Sequence, residues 1–418
     1  MNSSIEMPGM RGQWRKWGVF IAVSAMFFFL NMATFTSLGV VLFTMIAQLH
    51  WSLTAAGFSF TVLGVACGVS SPFAGMAMQR LGSRFTICLG ACMLLLGFLL
   101  AAISHSMAVF YCAMILLGTG YSFGGNVPGV ALIAAWFDRG SARVIGIYLM
   151  MGAFGAACGP PLVHFLVNEA GGWRGHWRLM AGVAASLGIV CFGLVREGPV
   201  RGKLQPEEGM RDRRIAASHV WTTRDAILTT QFLLVSAIMA ATMACVTTIN
   251  SVIVPHLVKL GATPGEAAFV LSAIGVVATI VKGGSGHLCE IMASTMVLAA
   301  GVVLQAVGCI LLSFADTGVL QYSAALAFGS GWGLSYVAGT LVLIEYFGAE
   351  TGPRILSVVW LLVTVAAAGP IAAGMIADHT GSFALIFEIF AAMLLLLAVP
   401  ALLMREPSHG GRVSTVVG

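Results

Sequence analysis

Charge is what this sequence has least of. Of 418 residues, 9% are charged, 21 Lys and Arg against 16 Asp and Glu, where an ordinary soluble protein has about 25%. With 59% hydrophobic residues, the chain has too few ionic groups to coat a water-facing surface, which excludes a soluble globular domain. Cysteine motifs are missing too. The nine cysteines at 67, 88, 92, 112, 158, 191, 245, 289 and 309 fall in or beside apolar runs, and no pair has C-x-x-C spacing, so they read as free, buried thiols. Cys88 with Cys92, and His287 with Glu290, lack the further ligands a metal site needs. No G-x-x-x-x-G-K-[ST] loop is present, so no nucleotide, and no other cofactor, is expected. The net charge of +5 comes without a basic stripe or aromatic interleaving, which argues against nucleic-acid binding. No cluster of His, Asp or Glu converges at one depth, which argues against a membrane-embedded enzyme.

What the chain does have is long apolar segments. A helix crossing the hydrocarbon core needs about 20 apolar residues. Such runs read at 17–42, 54–78, 85–103, 107–136, 143–167 and 178–195, then at 226–254, 265–288, 293–314, 319–346, 354–377 and 382–404. The first exceeds a signal-peptide core and lacks a small-residue cleavage site, so it should remain as a helix. Between the two sets lies a polar stretch bounded by Arg196 and Arg224, rich in basic residues, acids, Pro and Gly, which reads as a linker. The fold class is therefore an all-α membrane protein of twelve transmembrane helices in two six-helix bundles. Its expected parts are 1–195, a cytoplasmic linker 196–225, and 226–418.

Seventeen of the 21 basic residues fall on one side of this plan; Arg174, Arg178 and Lys259 fall on the other, and Lys282 belongs to no loop. That asymmetry predicts both termini in the cytoplasm. The halves also repeat. Gly75 pairs with Gly286, Gly118 with Gly329, Gly120 with Gly331, Phe137 with Phe347, Arg143 with Arg354, and Gly159-Pro160 with Gly369-Pro370, at offsets of 210 or 211. Two pseudo-symmetric halves imply a pathway at their junction, where one rocks against the other. Arg143 and Arg354 are expected to bond the ends of neighbouring helices and favour the outward-open state.

Helices four and five are rich in breakers. Gly118, Gly120, Gly124, Gly125 and Pro128 make the fourth irregular; Gly152, Gly155 and Gly159 suit close packing of the fifth, and Pro160 with Pro161 should bend it. Gly159 and Pro160 are candidate gating residues. Between helices two and three stands Gly75-x-x-x-Gln79-Arg80-x-Gly82-x-Arg84. Gly82 permits a tight turn, and Arg80 and Arg84 could bond helix-end carbonyls or neighbouring acids.

This loop resembles the Gly-x-x-x-Asp-Arg-x-Gly-x-Arg signature of the major facilitator superfamily, with Gln79 in place of the acid. Trp51-Ser52, then Trp136-Phe137-Asp138-Arg139-Gly140 followed by Arg143, and Val254-Pro255-His256-Leu257 followed by Gly261 look like bacterial monocarboxylate and oxalate/formate carriers. The resemblance implies the major facilitator fold and a basic residue on the eighth helix that binds the substrate carboxylate. Lys282, four residues before Gly286, takes that place. It also implies that helices one, four, seven and ten line the cavity, which selects Asn31, Asn126, Asn250 and Tyr336 as lining residues. An aspartate common in that family one turn earlier is Ala278 here, and no acid stands at mid-membrane. Glu388 falls in the outer part of the last helix, and His164 and His256 near helix ends, where a neutral imidazole bonded to a helix end is the favoured role.

The expected function is secondary transport of a small organic anion, a monocarboxylate, by alternating access in a bacterial inner (plasma) membrane. Its partners are that anion, the bilayer and, if transport is proton-linked, protons; the chain is expected to act as a monomer. The alternative is an exporter or permease for a larger amphiphile, drug-like or siderophore-like, suggested by 25 Phe, 22 Met and 9 Trp that could furnish an adaptable apolar cavity.

Overall fold

The structure is a computed structural model that describes residues 10–137, 141–169, 171–197 and 223–407. The described residues form helices and turns without a strand. Among the described residues, twelve helical spans are long and apolar enough to cross a membrane: Trp14–Leu49, Leu53–Met78, Ser83–Ala102, Met107–Ile133, Ile147–Glu169 and Gly172–Leu194, then Thr230–Lys259, Pro264–Ile291, Ser294–Ser313, Gly318–Phe347, Val358–Thr380 and Ala384–Leu403. They are referred to below as spans one to twelve. Both bundle ends are defined by the chain path: odd-numbered spans run away from the linker end, even-numbered ones return to it.

The repeat read from glycine spacing is physical. A Cβ at Gly118 would meet the carbonyl oxygen of Leu63 on span two, and one at Gly329 would meet that of Ile274 on span eight. Gly120 faces Gly90 and Leu94 on span three as Gly331 faces Gly301 and Gln305 on span nine. The obstructing residues are themselves 211 apart, so spans four and ten are packed against their neighbours in the same way in the two bundles. Gly75 and Gly286 match in the opposite sense, each with nothing within 4 Å of a built Cβ.

At each break in the helices, side-chain hydroxyls bond backbone carbonyls. Span one consists of Met10–Ala33 and Leu38–Leu49. At the break, Thr34 Oγ1 donates to Leu30 O at 2.6 Å, Thr36 Oγ1 to Asn31 O at 3.0 Å, and Ser37 Oγ to Met32 O. Span four breaks at Gly125, between Met107–Gly124 and Asn126–Trp136, which agrees with the irregularity expected there. The buried Tyr148 of span five donates to Gly125 O at 3.1 Å and stacks on Phe27. Span five itself, Ser141–Glu169, stays helical through Pro160 and Pro161. Spans ten and eleven are joined without a non-helical turn, because helix continues from Gly318 to Val363; a 3₁₀ segment, Thr364–Ala368, then precedes Gly369–Thr380. Its carbonyls accept from Thr61 Oγ1, to Ala367 O at 2.5 Å, and Thr247 Oγ1, to Ala366 O at 3.2 Å.

Contacts between the bundles lie toward the end away from the linker. There the carboxylate of Asp378, at the end of span eleven, accepts from Leu53 N at 3.1 Å, Thr54 N at 2.9 Å and Thr54 Oγ1 at 2.5 Å, the first turn of span two. Thr61 reaches Ala367 across the same boundary, and Ser272 Oγ of span eight donates to Ala157 O of span five. Gly39 of span one abuts the Asn250 carbonyl of span seven. Toward the linker, Gly75, Gly283, Gly284 and Gly286 meet nothing within 4 Å. Among the described residues, the contacts between the bundles therefore gather at the far end. The linker residues 198–222 and the segment 138–140 lie outside the described residues, as do the side chains of Gln79, Asn126, Arg143 and Arg354, and with them the lining role of Asn126 and the helix-end roles of the two arginines.

Candidate functional site

The site starts from small residues on span ten. Gly329 and Gly333, one turn apart, let span eight approach so closely that a Cβ at Gly333 would stand 2.9 Å from Val281 and 3.0 Å from the Ala278 carbonyl oxygen. This approach lays Lys282, one residue past Val281, across the aromatic face of span ten. Its Nζ stands 3.9 Å from the ring centroid of Trp332 and 4.7 Å from that of Tyr336. Tyr336 in turn packs against Trp360 of span eleven, centroids 5.7 Å apart.

Lys282 is half-buried, and its ammonium has neither a hydrogen bond nor an ion pair to a described residue; the ion pair found among those residues, His287 with Glu290, lies at the linker end. A lysine in the bilayer costs about 2.5–3.5 kcal/mol on the insertion scale, and a desolvated cation–π contact returns about 2 kcal/mol. The aromatic rings thus hold the charge without neutralising it. The arrangement suits reversible capture of an anion. Among the described residues no group of three or more His, Cys, Asp or Glu stands together.

The other expected lining residues divide. Asn31 is held within the first bundle: its Oδ1 accepts from the Tyr121 hydroxyl at 3.0 Å, and its Nδ2 donates to Phe27 O at 2.8 Å. Asn250 is buried at the crossing of spans one and seven. It stands nine residues from the far end of its span, and Lys282 eighteen from the far end of span eight, so about 13 Å of depth separates them at 1.5 Å per residue. The structure brings Lys282 and Tyr336 together, ties Asn31 to Tyr121 within the first bundle, and leaves Asn250 buried toward the far end. Trp332 was not picked out by sequence; its only signal was the i, i+4 spacing to Tyr336 on a helix with small residues.

Among the candidate gating residues, Gly159 packs on Met32 O and Ser37 Oγ at the break in span one, with Pro160 buried beside it. Gly82 takes φ +84°, a conformation that favours glycine, as the tight turn required. Arg80 is exposed. Arg84 does not cap a helix end through its side chain; its guanidinium lies over the Phe192 ring at 3.9 Å. The acid that caps this turn is Glu197, which accepts from Ser83 N at 2.5 Å, Ser83 Oγ at 3.1 Å and Arg84 N at 3.3 Å. His256 behaves as a helix-end imidazole, its Nε2 2.7 Å from Leu312 O and its ring against Phe387. Glu388 is exposed on the outer side of span twelve.

Known proteins agree with this architecture. The chain is 28% identical over 199 residues to the uncharacterized transporter YycB of Bacillus subtilis (strain 168), a match that spans 47% of each chain. It is 25% identical over 351 residues to monocarboxylate transporter 3 of Rattus norvegicus, covering 79% of this chain and 68% of that one. The crystal structure of a point mutant of the nucleoside transporter NupG superposes with a TM-score of 0.74 at 14% identity, over 93% of this chain and 99% of the other, which speaks to the fold alone. With residues 24–368 matching the Major Facilitator Superfamily, the chain belongs to that superfamily of membrane transporters.

Proposed function

We propose that this transporter carries a small organic anion, a monocarboxylate, across the plasma membrane by alternating access, with the linker and both termini in the cytoplasm. The observation that carries the reading is Lys282: a mid-bundle ammonium resting on Trp332 and Tyr336 with no carboxylate within 4.0 Å among the described residues. A bound carboxylate supplies the missing counter-charge. Similarity to a monocarboxylate transporter over most of the chain supports the same substrate class. Lysine offers a point charge rather than the planar fork of arginine, so the flanking rings contribute shape to recognition. With the described contacts between bundles gathered at the far end, the anion would reach Lys282 from the linker side; closure there and opening beyond Asp378 would complete the cycle.

The test is uptake by proteoliposomes of short monocarboxylates, dicarboxylates and aromatic acids, with and without an imposed pH gradient. Lys282→Gln should abolish uptake of the transported acid while folded protein is retained, and Lys282→Arg should keep part of it. Full transport by the Gln variant at unchanged apparent affinity would mean that Lys282 merely extends toward the cytoplasmic headgroups. Competition by bulky amphiphiles, with none by short acids, would favour the exporter reading.

A further inference from the structure

A second binding feature lies on the membrane-facing surface of the first bundle, away from the central site. Spans three and six form a groove of about 410 Å³, lined among others by Cys88, Cys92 and Leu95 on one side and Ala185, Gly188 and Phe192 on the other. Gly188 sets its floor: a Cβ there would stand 3.0 Å from the Ala91 methyl, and Cys88 Sγ sits 3.9 Å from the Gly188 carbonyl oxygen. From Cys88 to Leu95 the groove follows the helix axis for about 10 Å at 1.5 Å per residue, descending from the linker-side headgroup level into the hydrocarbon.

Two guanidinium groups stand at its linker-side mouth, both on Phe192. Arg84 lies over the ring at 3.9 Å, and Arg196 Nη1 donates to the Phe192 carbonyl at 3.3 Å and the Val195 carbonyl at 3.2 Å. Neither has a carboxylate within 4.0 Å among the described residues, and Arg84 Nε is buried without an acceptor. The acid nearby, Glu197, has both oxygens turned to Ser83 and to the backbone N–H of Arg84, where the helix N-terminus absorbs its charge. The mouth therefore presents two positive groups above a wholly apolar channel.

We propose that this groove holds one acyl chain of an anionic phospholipid from the linker-side leaflet, with its phosphate on Arg84 and Arg196. Guanidinium groups pair with phosphate through directed, charge-assisted bonds, and the apolar walls match an acyl chain. A zwitterionic choline lipid would bring its own cation to the same two arginines. At the strength typical of a basic side chain near an anionic membrane, each arginine favours the anionic lipid about fivefold, and the two together about thirtyfold.

Cys92, exposed in the groove, is a built-in probe. The full-length protein in detergent is titrated with phosphatidylglycerol or with phosphatidylcholine, and protection of Cys92 from an apolar maleimide is read peptide by peptide, alongside bound lipid by native mass spectrometry. Phosphatidylglycerol should protect Cys92 at a concentration about thirtyfold lower than phosphatidylcholine. The double variant Arg84→Gln/Arg196→Gln should lose that difference, and Arg84→Lys/Arg196→Lys should keep part of it. Equal protection by the two lipids in the parent, or an undiminished preference in the double Gln variant, would overturn the proposal. If the Gln variant fails to fold, Ala185→Phe decides the matter by filling the groove with both arginines in place: loss of the tightly bound phosphatidylglycerol supports the site, and retention overturns it.

Discussion

Replacing Asp378 with Ala should loosen the end of the bundle away from the linker. The carboxylate makes three bonds to the first turn of span two, to Leu53 N, Thr54 N and Thr54 Oγ1, so one bundle caps a helix of the other. Span two keeps its own cap in any case, since Ser52 Oγ accepts from Ala55 N at 3.1 Å, and the loss falls on the contact between bundles. Removing a capping acid costs about 1 kcal/mol, and its charge against the helix dipole adds about 0.3–1 kcal/mol at an exposed position. The exposed N–H groups can turn to water, which holds the total at about 1–2 kcal/mol, a factor of about 5–30 in the open population. Asp378→Asn keeps an acceptor and loses the charge, so it should shift the population only about twofold to fivefold. A cysteine at Ser251, buried where span seven crosses span one beside Gly39, reports opening to a polar maleimide once the exposed Cys92 and Cys112 are replaced by Ser. While the closed form dominates, the labelling rate is proportional to the open population. A rate in Asp378→Ala within twofold of the parent would refute the latch. Thr54→Ala supplies a second check, because the two substitutions share one contact and their effects should not add.

Three further outcomes follow from the packing. Gly118→Ala and Gly329→Ala, which push a methyl into the Leu63 and Ile274 carbonyl oxygens, should each cost about 1–3 kcal/mol through overpacking and lower the melting midpoint of the purified protein, while Gly75→Ala and Gly286→Ala, with open space around them, should not; equal effects would contradict the repeat-related packing. Tyr148→Phe removes the buried bond to Gly125 O but leaves that oxygen its bond from Gly129 N at 3.1 Å, so the expected cost is near the low end, about 1 kcal/mol, seen in the same melting assay. Glu388→Gln should leave any pH-gradient-driven uptake intact, since the side chain is exposed on the outer side of span twelve beside the buried Phe387 and Phe390; loss of the drive would make Glu388 the proton carrier.

The number of spans, the division into two bundles and their repeat were legible in the sequence because each rests on local chemistry: apolar length, turn residues, and glycines that recur at a fixed offset. Gly82 and Gly125 mark their breaks for the same reason, since backbone freedom is a property of the residue. Lys282 could be found as the basic residue that belongs to no loop. Its surroundings could not, because Trp332 is fifty residues away and meets it only after Gly329 and Gly333 bring spans eight and ten together. The break at Thr34–Ser37 contains neither Gly nor Pro; the hydroxyls of Thr36 and Ser37 bond the Asn31 and Met32 carbonyls there, and Thr34 Oγ1 adds a second bond to Leu30 O. Depth was equally hidden: Asn250 and Lys282 are both polar residues in apolar runs, yet one is buried toward the far end, where the described contacts between the bundles gather, and the other stands nearer the linker. Asp378 and Thr54, 324 residues apart, make the same point, as do Arg84 and Phe192. Sequence determines which segments enter the membrane and which groups they carry into it, because transfer from water is paid residue by residue. Which of those groups face one another is decided by packing between segments, where a single Cβ can hold two helices apart.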